Sequence, residues 1–151
     1  MTSPVVHELA QINIARLAAP LDSPQLAGFV AGLEPVNAEA DAAEGFRWRL
    51  QSEGGDATDI QVFGDAWLIV NMSVWRDTEA LKAYMYAGQH LDALRRRREW
   101  FVPLAEVATA LWWVPAGHRP SVSEAEQRLV HLREHGPTQY AFTLRQSHPA
   151  T

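Results

Sequence analysis

The chain has 151 residues with 13 basic and 18 acidic side chains, a formal net charge of −5, six tryptophans and no cysteine. The length fits one domain over residues 1–151. The absence of cysteine excludes disulfide scaffolds, thiolate metal sites and cysteine nucleophiles. The acidic balance argues against a nucleic-acid partner. No stretch approaches 18 consecutive apolar residues, which argues against a membrane span. The first eight residues lack the regions of a signal peptide, so the sequence predicts a cytoplasmic protein.

The first part of the chain predicts two strands separated by a helix. Residues 7–15 alternate between two faces, which is typical of a strand. Ser23 followed by a proline is a strong helix start, and we expect Pro35 to kink or interrupt that helix. Residues 45–50 alternate apolar and basic side chains and predict a second strand, followed by a polar loop over 51–59.

Residues 67–75 are the strongest predicted strand in the chain. One face of this strand carries aliphatic side chains only, whereas the other combines tryptophan, isoleucine, asparagine and serine. Asp77 then predicts a helix start, and the helix meets Gly88, resumes and runs to Phe101. A fourth strand is predicted over 108–114.

The last part of the chain predicts a third helix and a short edge strand. Ser121 and Glu124 have the spacing of a capping box, and the helix ends at Gly136. Residues 140–144 predict the edge strand.

The predicted order of elements is β-α-β-β-α-β followed by a helical extension, which indicates a ferredoxin-like α+β sandwich. If the helices cover the aliphatic face, the tryptophan-rich face of the third strand stays uncovered. An exposed apolar patch of that size needs a cover. A second copy of the chain provides one, so we predict a homodimer with face-to-face sheets.

Neutral hydrogen-bonding side chains lie on the face that we expect to be uncovered. An apolar surface with a few convergent polar groups is typical of a small-molecule site, although a buried network at a dimer interface uses the same groups. The predicted substrate-binding residues on the strands are Gln11, Asn13, Trp48, Ser73, Trp75 and Trp113, with Asn71 assigned a catalytic role.

The charged and titratable candidates lie on the second helix and after the fourth strand. His90 follows the expected helix break, and His118 lies in a Pro/Gly loop; we assign both as candidate catalytic bases. Each has a structural alternative, a satisfied hydrogen bond that holds the local backbone. Four consecutive arginines, 95–98, cannot share one helix face, so at least one points inward unless the helix is fully exposed. We assign Arg95 to substrate binding, with solvated ion pairs as the alternative. The six histidines show no metal-ligand spacing.

Several sequence blocks together resemble the bacterial family filed as domain of unknown function 3291, and the resemblance covers nearly the whole chain. The blocks are Glu8–Asn13, Gly45–Leu50, Asn71–Trp75, Arg96–Phe101 and Leu111–His118. That family is placed in the dimeric α/β-barrel superfamily, beside antibiotic-biosynthesis monooxygenases, chlorite-dismutase-like haem proteins and small lyases or isomerases. The resemblance therefore implies the same fold that the residue patterns predict, without fixing the chemistry.

Three functions remain open from the sequence. The first is an enzyme that needs no cofactor, either a monooxygenase or an isomerase or cyclase, acting on a flat aromatic or polyketide-like substrate. The second is a haem-binding protein with His90 as the axial ligand. The third is a small-ligand-binding module without catalysis.

Overall fold

A computed structural model describes residues 6–52 and 55–150 of the chain. Two parts of the sequence analysis lie outside this range. They are residues 1–5, which belong to the segment that argued against a signal peptide, and residues 53–54 of the predicted polar loop. The strands and helices of the described part, in chain order, are β1 (His7–Leu17), α1 (Ala27–Ala42), β2 (Phe46–Arg49), β3 (Leu68–Trp75), α2 (Thr78–Met85), α3 (Gly88–Trp100), β4 (Phe101–Val102), β5 (Thr109–Pro115) and α4 (Val122–His135).

The strands form one antiparallel sheet with β1 at its centre. β3 pairs with one edge of β1 and carries β2 on its outer side, whereas β5 and the two-residue β4 pair with the other edge. Without β4, this strand order with crossover helices after β1 and β3 is ferredoxin-like, so the predicted fold class is confirmed. Phe142 adds a single antiparallel bridge to Leu111, where the sequence predicted an edge strand.

The first helix does not begin with a capping bond from Ser23 as predicted, because the Ser23 hydroxyl donates to the Pro20 carbonyl and a 3₁₀ turn over Pro24–Leu26 precedes α1. Elsewhere the helices begin and break where the sequence predicts, with two further differences. The Asp77 carboxylate accepts from the Ala80 N–H at 2.9 Å and caps α2, and the second helix is divided before Gly88, which has φ +47°. Pro35, however, lies inside an uninterrupted α1. The capping box at α4 is half formed, because Ser121 accepts from the Glu124 N–H while the Glu124 carboxylate binds Trp112 and His118.

The aliphatic face of the sheet, formed by the even-numbered positions of β1 and β3, packs against α4. Ala125, Leu129 and Leu132 of this helix are buried in the same cluster as Ile12 and Met72. Trp112 of β5 belongs to this cluster as well, and its indole N–H donates to Glu124 at 2.9 Å. The C-terminal extension therefore closes the most apolar face of the sheet within one chain.

The opposite face, which we call the mixed face, lies on the side of α1, α2 and α3. At one end of it Leu9 and Trp75 pack with Leu81 of α2, and at the other end Leu17 packs with Trp100 of α3. The expectation that these helices cover the aliphatic face was therefore wrong. Aromatic and leucine side chains at both ends give the mixed face enough apolar surface to hold the helices. The argument for a homodimer through an uncovered tryptophan-rich face loses its premise, and the homodimer itself stays a prediction.

Trp48 does not lie on the mixed face, contrary to the prediction. A bulge between Phe46 and Trp48 shifts the pairing of β2 with β3, so that Phe46 pairs with Trp75 and Trp48 pairs with Val74. Trp48 accordingly packs with the aliphatic cluster, while Phe46 contacts Trp75 edge-on at 5.5 Å.

No helix in the described part of the chain has both the length and the apolar character needed to cross a bilayer.

Candidate active site on the mixed sheet face

Five neutral polar side chains lie between the two apolar ends of the mixed face, and we call them the polar strip. They are Gln11, Asn13, Asn71, Ser73 and Thr109. Their neighbours across the sheet are fixed by the register, in which Gln11 pairs with Ser73 and Asn13 pairs with both Asn71 and Thr109. The sheet therefore brings together the four polar residues that the sequence singled out on β1 and β3.

Gln11 is the centre of the hydrogen bonding in the polar strip. Its Nε2 donates to the Asn71 Oδ1 at 2.6 Å and to the Ser73 Oγ at 2.8 Å, which uses both amide hydrogens. The Ser73 Oγ also accepts from the indole N–H of Trp75 at 2.8 Å. Gln11 and Ser73 are 7 % and 6 % exposed, so these bonds lie away from water.

Asn71 presents the opposite side of its amide to solvent. Its Oδ1 is taken by Gln11, and its Nδ2 has no protein acceptor among the described residues. The side chain is exposed, in contrast to Gln11 and Ser73. An exposed amide N–H whose orientation is held by a hydrogen bond is a suitable donor for an anionic oxygen of a ligand.

Asn13 and Thr109 form the other exposed part of the polar strip. The Thr109 hydroxyl donates to the Asn13 Oδ1 at 3.1 Å, and both residues are exposed. The sequence analysis did not name Thr109. The alternation of Thr109 with Leu111 and Trp113 along β5 would have placed it on the mixed face.

Aromatic rings continue from the polar strip towards the helices. Tyr84 of α2 stacks on Trp75 with ring centroids 5.0 Å apart, and the ring centroid of His90 of α3 lies 4.8 Å from that of Tyr84. His90 holds its Nδ1 3.1 Å from the Met85 carbonyl, across the break between α2 and α3. The structure thus places His90 at the end of this aromatic row, with two rings between it and Ser73.

Burial shifts the pKa values of both titratable groups in this row. It raises the pKa of the Tyr84 phenol, with the nearby charge of Glu39 acting in the same direction. It lowers the pKa of His90, and the Met85 carbonyl and Glu39 oppose that shift. His90 is therefore a neutral imidazole and Tyr84 a neutral phenol near pH 7.

Trp113 lies on the mixed face, as predicted, in the cluster with Leu9 and Trp75. Its indole N–H donates to the His148 carbonyl at 2.7 Å, and its ring lies 6.2 Å from Phe142. The segment 142–148 therefore packs on Trp113 and bounds this side of the mixed face.

His118 and Arg95 lie away from the polar strip. His118 contacts Glu124 at 2.7 Å on the α4 side of the sheet, which corresponds to its structural alternative. Arg95 is 4.0 Å from Asp92, and all four arginines of 95–98 are exposed. The expectation of an inward arginine was wrong because Ala93 and Trp100 make the packing contacts of α3.

Two open grooves of about 430 and 520 Å³ lie around α4 rather than at the polar strip. Their walls include His131 and His118, each already hydrogen bonded to a protein group. In the described ranges no three histidine or carboxylate side chains converge as a metal-ligand set. The polar strip is the candidate site because an exposed amide donor and the buried groups that orient it meet there, with the half-buried rings of Tyr84 and Trp113 towards one end of the same face.

The fold defines the chain as a ferredoxin-like α+β protein, with the polar strip beside its central strand as the candidate site. The chain belongs to the family described as Domain of unknown function (DUF3291), whose model matches residues 8–151. The resemblance stated from the sequence is thereby confirmed.

Several solved structures are similar to this chain. A conserved protein from Methanosarcina mazei Go1 is similar at 10 % identity over 73 % of this chain and 93 % of its own, with a TM-score of 0.51. SnoaB, a cofactor-independent oxygenase from Streptomyces nogalater, is similar at 14 % identity over 74 % of this chain and 95 % of its own, with a TM-score of 0.48. A protein from Pseudomonas aeruginosa is similar at 15 % identity over 77 % of this chain and all of its own, with a TM-score of 0.49. No curated protein matches the sequence.

Proposed function

We propose that the protein is a cofactor-independent monooxygenase that acts on a flat aromatic or polyketide-like molecule able to form an enolate or phenolate. The observation that carries the proposal is the exposed Nδ2 of Asn71, which the bond from Gln11 turns away from the sheet. A fixed amide donor stabilises a developing oxyanion without reorganising in the reaction.

In this reaction Asn71 donates to the oxygen that becomes negative when the substrate loses a proton. The resulting carbanion gives an electron pair to O₂, and the peroxide takes up a proton. A methylene group thereby becomes a hydroperoxide, which loses water to give a carbonyl group. One methylene and one O₂ yield one carbonyl and one water, so the step balances without an added reductant.

The aromatic row gives the substrate a flat surface and a base. Tyr84 and Trp113 are half-buried and offer apolar rings towards one end of the mixed face, whereas Trp75 is 1 % exposed and supports the Tyr84 ring by stacking on it. His90 is neutral near pH 7 because burial lowers its pKa, and it has Nε2 left to accept a proton. Two rings separate His90 from Ser73, so the proposal requires a substrate that spans this row.

The same donor would serve an isomerase or cyclase, since these enzymes also stabilise an enolate. Oxygen consumption separates the two reactions, because only the monooxygenase requires O₂. The freshly purified enzyme is given a panel of polyhydroxylated naphthols in an oxygen electrode, and the products are identified by mass spectrometry. Uptake of one O₂ per product supports the monooxygenase, and conversion without uptake supports the alternative.

Asn71→Asp tests the donor, because it keeps the acceptor for Gln11 and removes the exposed N–H. We expect turnover to fall by about 100-fold or more, the usual effect of losing one oxyanion donor. Exposed Gln127 on α4 provides the matched control, since Gln127→Glu adds one negative charge away from the mixed face. Equal turnover in Asn71→Asp and Gln127→Glu would contradict the assignment of Asn71.

A haem-binding role for His90 is the second candidate. The contact of its Nδ1 with the Met85 carbonyl fixes the ring and leaves Nε2 for a metal, as is common for ligating histidines. Titration with haemin distinguishes this role: a Soret band that His90→Ala abolishes supports it, and an unchanged haemin spectrum contradicts it.

A homodimer in the cytoplasm completes the proposal. Because α4 covers the aliphatic face and the crossover helices hold both ends of the mixed face, the two chains would meet through other surfaces. Light scattering of the eluting protein gives the mass, and a value of 16.9 kDa rather than twice that would contradict the dimer.

A further inference from the structure

We infer that Gln11 does not bind substrate but is a positioning residue that determines which side of the Asn71 amide faces the substrate. The inference rests on the proposed role of Asn71 as an oxyanion donor and goes beyond it. It replaces the substrate-binding role that the sequence predicted for Gln11.

The first argument is that Gln11 has no amide hydrogen to give. Its two Nε2 hydrogens are used by Asn71 at 2.6 Å and by Ser73 at 2.8 Å. The side chain is 7 % exposed and lies on β1, the central strand, which pairs with β3 and β5. A substrate would have to break one of these bonds and enter the sheet surface to reach it.

The second argument concerns Trp75, which occupies one acceptor position of Ser73. An indole N–H can only donate, so the Ser73 Oγ accepts from it at 2.8 Å. In the structure the second lone pair of this hydroxyl accepts from the Gln11 Nε2, and the same Nε2 donates to the Asn71 Oδ1. Asn71 therefore turns its oxygen to Gln11 and its Nδ2 outwards.

The inference predicts an unusual effect of a single atom change. In Gln11→Glu the introduced carboxylate only accepts hydrogen bonds, so Asn71 must reverse its amide and donate Nδ2 inwards. The exposed group becomes Oδ1, which repels an oxyanion. Protonating the introduced carboxyl restores a donor and allows the original orientation of Asn71.

The first experiment needs no substrate. In ¹⁵N-labelled full-length protein we expect the Asn71 side-chain NH₂ to exchange rapidly with water in the wild type and slowly in Gln11→Glu at pH 7.5. Gln127→Glu is the matched control and should leave the Asn71 signal unchanged. Fast exchange of Asn71 in both Gln11→Glu and the wild type would overturn the inference, whatever the enzyme does.

The second experiment uses the naphthol with the fastest oxygen uptake in the wild type. In Gln11→Glu we expect kcat to fall by about 100-fold with KM within about threefold, and kcat to rise as the pH falls. Gln11→Met keeps the length of the side chain without its amide, and its activity should be low at every pH. A reversed Asn71 amide together with unchanged kcat would leave the positioning intact and refute the oxyanion role of Asn71. A loss of kcat in Gln11→Glu that does not change with pH would refute the positioning.

Discussion

Tyr84 stacks on Trp75, with ring centroids 5.0 Å apart and planes inclined by 28°. This contact joins α2 to β3, and the ring centroid of His90 on α3 lies 4.8 Å from that of Tyr84. The three rings therefore connect the strand that carries Asn71, through α2, to the helix that carries the candidate base.

Tyr84→Leu should lower the free energy of unfolding by about 1–2 kcal/mol more than Tyr84→Phe, since only the phenylalanine keeps the stacked ring. Both variants lose the 3.3 Å bond from the phenol to the Val36 carbonyl, so the difference between them isolates the ring. Urea denaturation of the two variants measures it. Equal stability would show that the stack contributes nothing.

His90 should make the protein less stable in mild acid. In the unfolded chain its pKa is about 6.5, whereas burial lowers its pKa in the folded state. As the pH falls below the unfolded value, the unfolded chain takes up the proton first, so unfolding becomes more favourable. His90→Gln should accordingly flatten the decrease in Tm between about pH 7 and pH 5.5. Thermal melts of both proteins across this range test the prediction, which a parallel decrease would contradict.

Leu129 should be essential for the packing of α4 on the sheet. It is fully buried beside the aliphatic face, and Leu129→Ala should cost about 2–5 kcal/mol of stability. Val130, the next residue, is 37 % exposed, and Val130→Ala is expected to cost less than about 1 kcal/mol. Chemical denaturation compares the pair, and similar losses would mean that α4 does not pack as described.

Asp77→Ala should destabilise the protein by about 1 kcal/mol, because it removes the cap of α2. Asp77→Asn keeps an oxygen for the Ala80 N–H and should stay close to the wild type at pH 7. The capping bond and Arg76 lower the pKa of Asp77, so the advantage of the wild type over Asp77→Ala should fade as the carboxyl is protonated in acid. Chemical denaturation of the three proteins at pH 7 and in acid tests both expectations. A stability difference between the wild type and Asp77→Ala that increases in acid would contradict them.

Arg95 should be dispensable for turnover, since its side chain is exposed and lies 4.0 Å from Asp92, away from the polar strip. Arg95→Ala is expected to leave KM for the chosen naphthol within about twofold. Steady-state kinetics of Arg95→Ala, measured together with those of Asn71→Asp, test this prediction. A rise in KM caused by Arg95→Ala alone would contradict this prediction and support a role of Arg95 in substrate binding.

Period-two alternation was sufficient to predict the four main strands and four of the five residues of the polar strip. The pairing of Asn13 with Asn71 and of Gln11 with Ser73 follows once β1 and β3 are aligned by their alternating faces. The break at Gly88 and the cap at Asp77 were also readable, because both depend on a single residue and its immediate neighbours.

The sequence did not show which face of the sheet α1, α2 and α3 cover, because both faces carry enough apolar side chains to pack against helices. Local bulges were equally hidden: nothing in the sequence around Phe46 and Trp48 indicates that the two rings fall on opposite faces. The orientation of the Asn71 amide depends on Gln11, sixty positions away in the chain. The alternation of side chains within each strand cannot predict a side-chain hydrogen bond between residues so far apart in the sequence.

The segment that follows α4 determines how the protein should be handled. Phe142 is fully buried and bridges to Leu111, and the His148 carbonyl accepts the indole N–H of Trp113. Removing residues 142–148 would uncover Leu111 and Trp113 on the mixed face, and a newly exposed apolar patch favours aggregation. Truncated protein that is made for crystallisation or assay should therefore retain this segment.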